Sequence, residues 1–136
     1  MQKTTTFFMF VGEQFGKAEE AIHFYVSLFK NSRIITLARY GAGEQGPEGA
    51  MSHAVFTLNG QEYMAMESNL EHHFTFTPAV SLFVNCETEE EIATLFQKLS
   101  HSGSVLMELN TYPFSEKYGW VTDKYGLSWQ LNLARK

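Results

Sequence analysis

The 136-residue chain is poor in cysteine and proline, with one and three respectively, and it has no run of basic residues. A single thiol, Cys86, cannot close an internal disulfide, which fits a reducing compartment and predicts a cytoplasmic protein. With a net charge of −5 and no Lys/Arg cluster, the chain lacks the positive surface that a phosphate backbone demands, so nucleic-acid binding is excluded. No apolar stretch approaches the roughly 20 residues that cross a bilayer, so no membrane helix is expected. The opening MQKTTTFF has neither a small-residue cleavage site nor a long apolar core, and no secretory leader is expected. A glycine-rich strand-to-helix turn of the kind that cradles a nucleotide cofactor is missing as well.

What is present is apolar and periodic. A hydrophobic fraction of 44% and an aromatic fraction of 15% suffice for a well-buried interior and exclude a disordered chain. Thr4 to Val11 is a β-type run. KAEEAIHFYVSLF then sets Ala18, Ala21, Ile22, Tyr25, Leu28 and Phe29 on one helical face. RIITLARY reads as a strand, and HAVFTLNGQEYMAME as a hairpin, because Asn59-Gly60 supplies the positive-φ pair of a two-residue turn. The second half repeats the order. AVSLFVNC is a strand, and TEEEIATLFQKLS a helix with Thr88 and Glu91 spaced as a capping box. SVLMEL is a further strand, and KYGWV with LSWQLNL a closing hairpin around Asp123-Lys124-Tyr125-Gly126. EEAIHFYVSL and EEIATLFQKL also align with each other, so the halves read as a duplication. The expected organisation is one domain over residues 1–136, with a first βαβββ module at about 4–69 and a second at about 78–134. The polar segment SNLEHHFTFTP joins them. The fold class is α+β: two βαβββ modules forming curved mixed sheets around a cavity.

Three stretches carry a family resemblance: AEEAIHFYVSLFKNSRI, GPEGAMSHAVFTLNGQEYMAME and FSEKYGWVTDKYGLSWQL. With the strands between them the chain resembles the vicinal oxygen chelate superfamily of glyoxalases, bleomycin-resistance proteins and dioxygenases. Within it, the chain resembles the PhnB-like branch, whose domain is often labelled 3-demethylubiquinone-9 3-methyltransferase. The resemblance implies a glyoxalase-like fold, commonly dimeric, with a homodimer as the expected assembly. It also implies four ligand positions, one on each of four strands, which fall here at Thr6, Glu67, Ser81 and Gln130. Glu67 alone is a strong ligand type, and a competent catalytic zinc normally takes three protein ligands. No cofactor is therefore expected, and any divalent metal would be weakly or adventitiously held.

Strand parity places the remaining candidates. Tyr63, Ala65 and Glu67 share one face of their strand, Met64 and Met66 the other. The methionines suit a helix-packed side, which would turn Glu67 into the chamber as a general base. The Asn59-Gly60 turn pairs Ser52 with Glu67 and leaves His53 on the opposite face. In the last strand Leu127, Trp129 and Leu131 would pack against a helix or a partner subunit, while Ser128, Gln130 and Asn132 line the chamber, with Gly119 leaving room across the ladder. The expected ligand-contacting set is Ser52, Phe56, Tyr63, Ser81, Phe83, Phe114, Gly119, Ser128 and Gln130, and GAGEQGPEGAM is read as a flap. Two functions follow as expectations. The first is a non-catalytic or resistance-type binder of a small molecule; the second is a small-molecule enzyme using Glu67 as base or weak metal ligand. A methyltransferase is the weakest reading, since the cofactor turn is missing.

Overall fold

The computed structural model describes residues 2–135, and the chain divides into two compact units, Met1–Thr75 and Phe76–Lys136. The first unit runs β1 (Thr6–Phe10), a 3-10 turn at Gly12–Gln14, α1 (Ala18–Leu28), β2 (Arg33–Arg39), β3 (Met51–Leu58) and β4 (Gln61–Glu67). The second runs β5 (Ser81–Cys86), α2 (Glu89–Ser100), β6 (Ser104–Tyr112), β7 (Ser115–Thr122) and β8 (Ser128–Leu133). Each unit is a four-stranded mixed sheet with one helix. The strand orders, β1-β4-β3-β2 and β5-β8-β7-β6, are the same plan twice. In both, the first strand lies parallel to the last and the other pairs are antiparallel.

Local chemistry explains the boundaries. Asn59 and Gly60 adopt φ of 53° and 78°, the left-handed pair that a tight β3–β4 hairpin needs. That turn sets the register, with Phe56 opposite Tyr63 and Ala54 opposite Ala65. At the start of α2 the Glu91 N–H donates to Thr88 Oγ1 at 3.0 Å, while Glu91 Oε1 accepts from the Glu87 N–H at 2.7 Å. The reciprocal bond reaches one residue further back than the usual capping box, and both satisfy backbone donors at the helix entrance. The β2–β3 connection is closed at its base by Tyr40 N–H to the Ala50 carbonyl (2.9 Å) and Gly49 N–H to the Tyr40 carbonyl (2.8 Å).

The helices decide which sheet face is core. In the first unit α1 buries Ala18, Ala21, Ile22 and Tyr25, and packs across β3 with further contacts to β2 and β4. Phe8, Phe10, Ala54, Phe56, Ala65 and Glu67 are all buried and share one parity across the paired strands. In the second unit α2 buries Ile92, Leu95 and Leu99 and lies on β7 and β8. Val121, Trp129 and Leu131 form the matching buried set. Phe7, Met9, Met64 and Met66 therefore stand on the helix-free face of the first sheet, with Phe7 about half exposed. The parity expected for the methionines is reversed. The reason is that the helix side takes the small residues Ala54 and Ala65, which let α1 approach, while the free side is itself apolar.

Candidate functional site

Glu67 is the first residue to place. Its side chain is on the helix side, 5% exposed, at the end of β4. Oε2 accepts the Ala18 N–H at 2.9 Å and Oε1 accepts the Met51 N–H at 2.7 Å. The first donor belongs to the opening turn of α1, where unpaired N–H groups and the helix dipole favour a carboxylate. The second sits at the start of β3. Glu67 thus ties three elements together, and both oxygens are engaged by backbone. This corrects the expectation that it turns into a chamber as a free base. Phe56 and Tyr63 share its face: their rings stack with centroids 5.7 Å apart, and each stacks on Phe8 at 6.5 and 5.9 Å. Burial raises the Tyr63 phenol above its ordinary value. Phe56 is fully buried core on the helix side, and Tyr63, half-buried, packs beside it there. Ser52, half-buried, lies beside a register shift between Ala38 and Arg39 on the neighbouring strand.

The second unit presents a different surface. On the side away from α2, Gln130 of β8 lies between Phe83 of β5 and Trp120 of β7, its direct partners on the two flanking strands. One step along, Ser128 lies beside Ser81, with the hydroxyl oxygens 2.6 Å apart, and the Trp120 indole N–H donates to Ser128 Oγ at 2.9 Å. The Tyr118 hydroxyl donates to Gln130 Oε1 at 2.6 Å. Burial, with Tyr112 beside it, pushes the Tyr118 phenol up, which keeps it a donor at neutral pH. Phe114 stacks on Tyr112 (5.5 Å) and meets Tyr118 edge-on (5.0 Å). Two of these aromatics stay open, Phe83 at 55% and Phe114 at 64% exposure. Ser81, Phe83, Ser128 and Gln130 thus come together on one face, with Phe114 adjoining through Tyr118.

Gly119 does not join them. It pairs with Leu131 on the helix side, and a Cβ there would lie 2.7 Å from the Phe96 ring of α2. Its role is to admit that ring, which corrects its assignment to the chamber. The residues that sequence reading left out of the site are Trp120 and Tyr118. Both share the parity of Gln130 across the hairpin, and that parity was the signal available.

The superfamily's metal can be tested against these residues. Thr6 is exposed and shares the helix-side parity of Phe8, Glu67 is occupied by backbone donors, and Ser81 and Gln130 offer only a hydroxyl and an amide. That donor set does not fit a divalent ion. Among the described residues no cluster of three His, Cys, Asp or Glu side chains could hold one. Cys86 is buried at the end of β5, and burial, with Glu91 nearby, pushes its thiol up to about 12, so it is neutral and unreactive there.

The repeated βαβββ plan defines the class: this is an α+β protein with the glyoxalase-like fold. Residues 2–132 match the model of the family described as 3-demethylubiquinone-9 3-methyltransferase, and the chain belongs to that family. A solved PhnB protein from Bacillus cereus, carrying the same description, is 59% identical; the match covers 98% of this chain and 100% of that one, with a TM-score of 0.91. Protein YjdN of Escherichia coli (strain K12) is 29% identical over 98 residues, 70% of this chain; the match spans 64% of the length of that relative. The fosfomycin resistance protein FosX from Listeria monocytogenes shares the fold at 11% identity, with a TM-score of 0.67, over 99% of this chain and 96% of its own. No helix among the described residues is long and apolar enough to cross a membrane.

Proposed function

We propose that the protein binds a small organic molecule against the helix-free face of its second sheet, without a metal and without turnover. The observation that carries this reading is the Phe83–Gln130–Trp120 row. Two aromatic side chains flank one amide on a face that the unit's own helix leaves uncovered, and Phe83 is more exposed than core packing accounts for. The enzyme alternative that used Glu67 as base is the weaker reading, because both carboxylate oxygens accept backbone N–H groups on the helix side of the first unit's own sheet. A fosfomycin resistance protein with this fold lends the binder reading a precedent of architecture only, since fold does not fix function. The family's methyltransferase description names a reaction for which this chain offers no glycine-rich cofactor turn.

A thermal-shift screen tests the reading. Neutral aromatics, small acids and S-adenosylmethionine would be titrated into the purified protein, since a ligand selective for the native state raises its Tm. The expectation is stabilisation by aromatic compounds, lost on Trp120→Ala. Stabilisation by S-adenosylmethionine alone would contradict the reading and favour the methyltransferase.

A further inference from the structure

The hydrogen bonds on this same face restrict what it can hold. Gln130 has one acceptor and two donors in its amide. The acceptor, Oε1, is taken by the Tyr118 hydroxyl, so the end left for a guest is the N–H₂ group. The serine pair ends the same way. Ser128 is fully buried and already accepts from the Trp120 indole, so donation from Ser128 to Ser81 leaves the partly exposed Ser81 hydroxyl as an outward donor. Asn132, further along β8, is closed off: its Oδ1 accepts from Ser115 Oγ at 2.6 Å and its Nδ2 donates to Asn85 at 3.1 Å.

Charge narrows the class further. Ser81, Phe83, Ser128, Gln130, Trp120 and Tyr118 carry no ionised group at neutral pH. The charges around this row are Glu108 of β6, between the residues that pair with Trp120 and Tyr118, and Glu116 of β7, four residues from Trp120 and so roughly 13 Å away along the strand. Arg135 donates to the Tyr112 and Ser115 carbonyls. An anionic guest would lose its hydration beside these carboxylates with no cation in the row to compensate, and a cation would meet a row whose free polar groups are donors. We infer that this face selects a neutral, flat, aromatic compound carrying a carbonyl or equivalent acceptor. Its ring would lie against Phe83 and Trp120, and its acceptor would take the Gln130 N–H and Ser81 O–H. The inference rests on the binding reading above and names the ligand class for that site.

Three probes of one shape separate the outcomes: coumarin (neutral, with a carbonyl), coumarin-3-carboxylate (anionic) and naphthalene (no acceptor). Binding would be followed in the full chain by the NMR shift of the Trp120 indole N–H, which the Gln130→Glu variant retains, and in the unaltered protein also by that of the Gln130 side-chain amide. Coumarin is expected to bind at least tenfold more tightly than either of the others, and to lose roughly tenfold on Gln130→Glu, the scale of one good hydrogen bond. Gln130→Glu keeps an acceptor for Tyr118, so an unchanged melting temperature would show that the fold survives. Binding of the carboxylate as tightly as coumarin, or coumarin binding unaffected by Gln130→Glu, would overturn the ligand class and leave the site standing. No response of the Gln130 amide to any of the three would overturn the site itself.

Discussion

Glu67 and Asp123 are the two buried acidic residues among those described, and the oxygens of both accept N–H groups of the fold. Asp123 Oδ1 accepts the Tyr125 and Leu127 N–H groups at 2.9 and 3.1 Å, and Oδ2 accepts the Trp129 indole at 2.9 Å, which fixes the β7–β8 turn. Glu67 does the equivalent work in the first unit. Glu67→Gln keeps one acceptor oxygen but points an N–H₂ at the other backbone donor. It should therefore cost about 2–3 kcal/mol in urea unfolding, the scale of a lost charge-assisted bond plus a stranded donor. A loss below about 0.5 kcal/mol would show the two bonds to be incidental. The sequence made Glu67 visible as an unusual carboxylate but not its direction. Alternation says which residues share a face; it does not say which face meets the helix, and here Met64 and Met66 on the free side are as apolar as the core. The acidic residue is held by one N–H of α1 and one of β3, brought together only in the fold.

At the scale of elements, more was legible. The helical stripes, the Asn59-Gly60 hairpin and the Thr88 cap all follow from spacing and side-chain chemistry, and they stand where the pattern puts them. The separation of Leu127, Trp129 and Leu131 from Ser128, Gln130 and Asn132 was legible too, because a strand that alternates bulky apolar with small polar residues has one core side. Gly119 was misplaced because an absent side chain fits a chamber and a tight helix contact equally well in sequence. Its contact with Phe96 yields a test. Gly119→Ala should destabilise by about 1–3 kcal/mol through overpacking, and Phe96→Leu in the same chain should recover most of that loss, because the smaller side chain vacates the space. Additive losses in the double variant would mean that the α2–β7 contact does not explain the glycine.

For the whole molecule, the duplicated βαβββ plan accounts for the family match and the fold, yet the two copies have diverged in what they expose. The free face of the first sheet carries Met9, Met64, Met66 and Phe7, whereas that of the second mixes aromatic walls with a hydroxyl pair and one amide. The proposed ligand selectivity belongs to that second face. The direct measurement is ¹⁵N–¹H mapping of the full chain with the strongest compound from the thermal-shift screen. The account predicts shifts concentrated at the Trp120 indole, the Gln130 side-chain amide and the Ser81 and Phe83 backbone, with the Trp129 indole on the helix side unmoved. Shifts gathered around Glu67, Ala18 and Met51, with Trp120 and Gln130 silent, would contradict it.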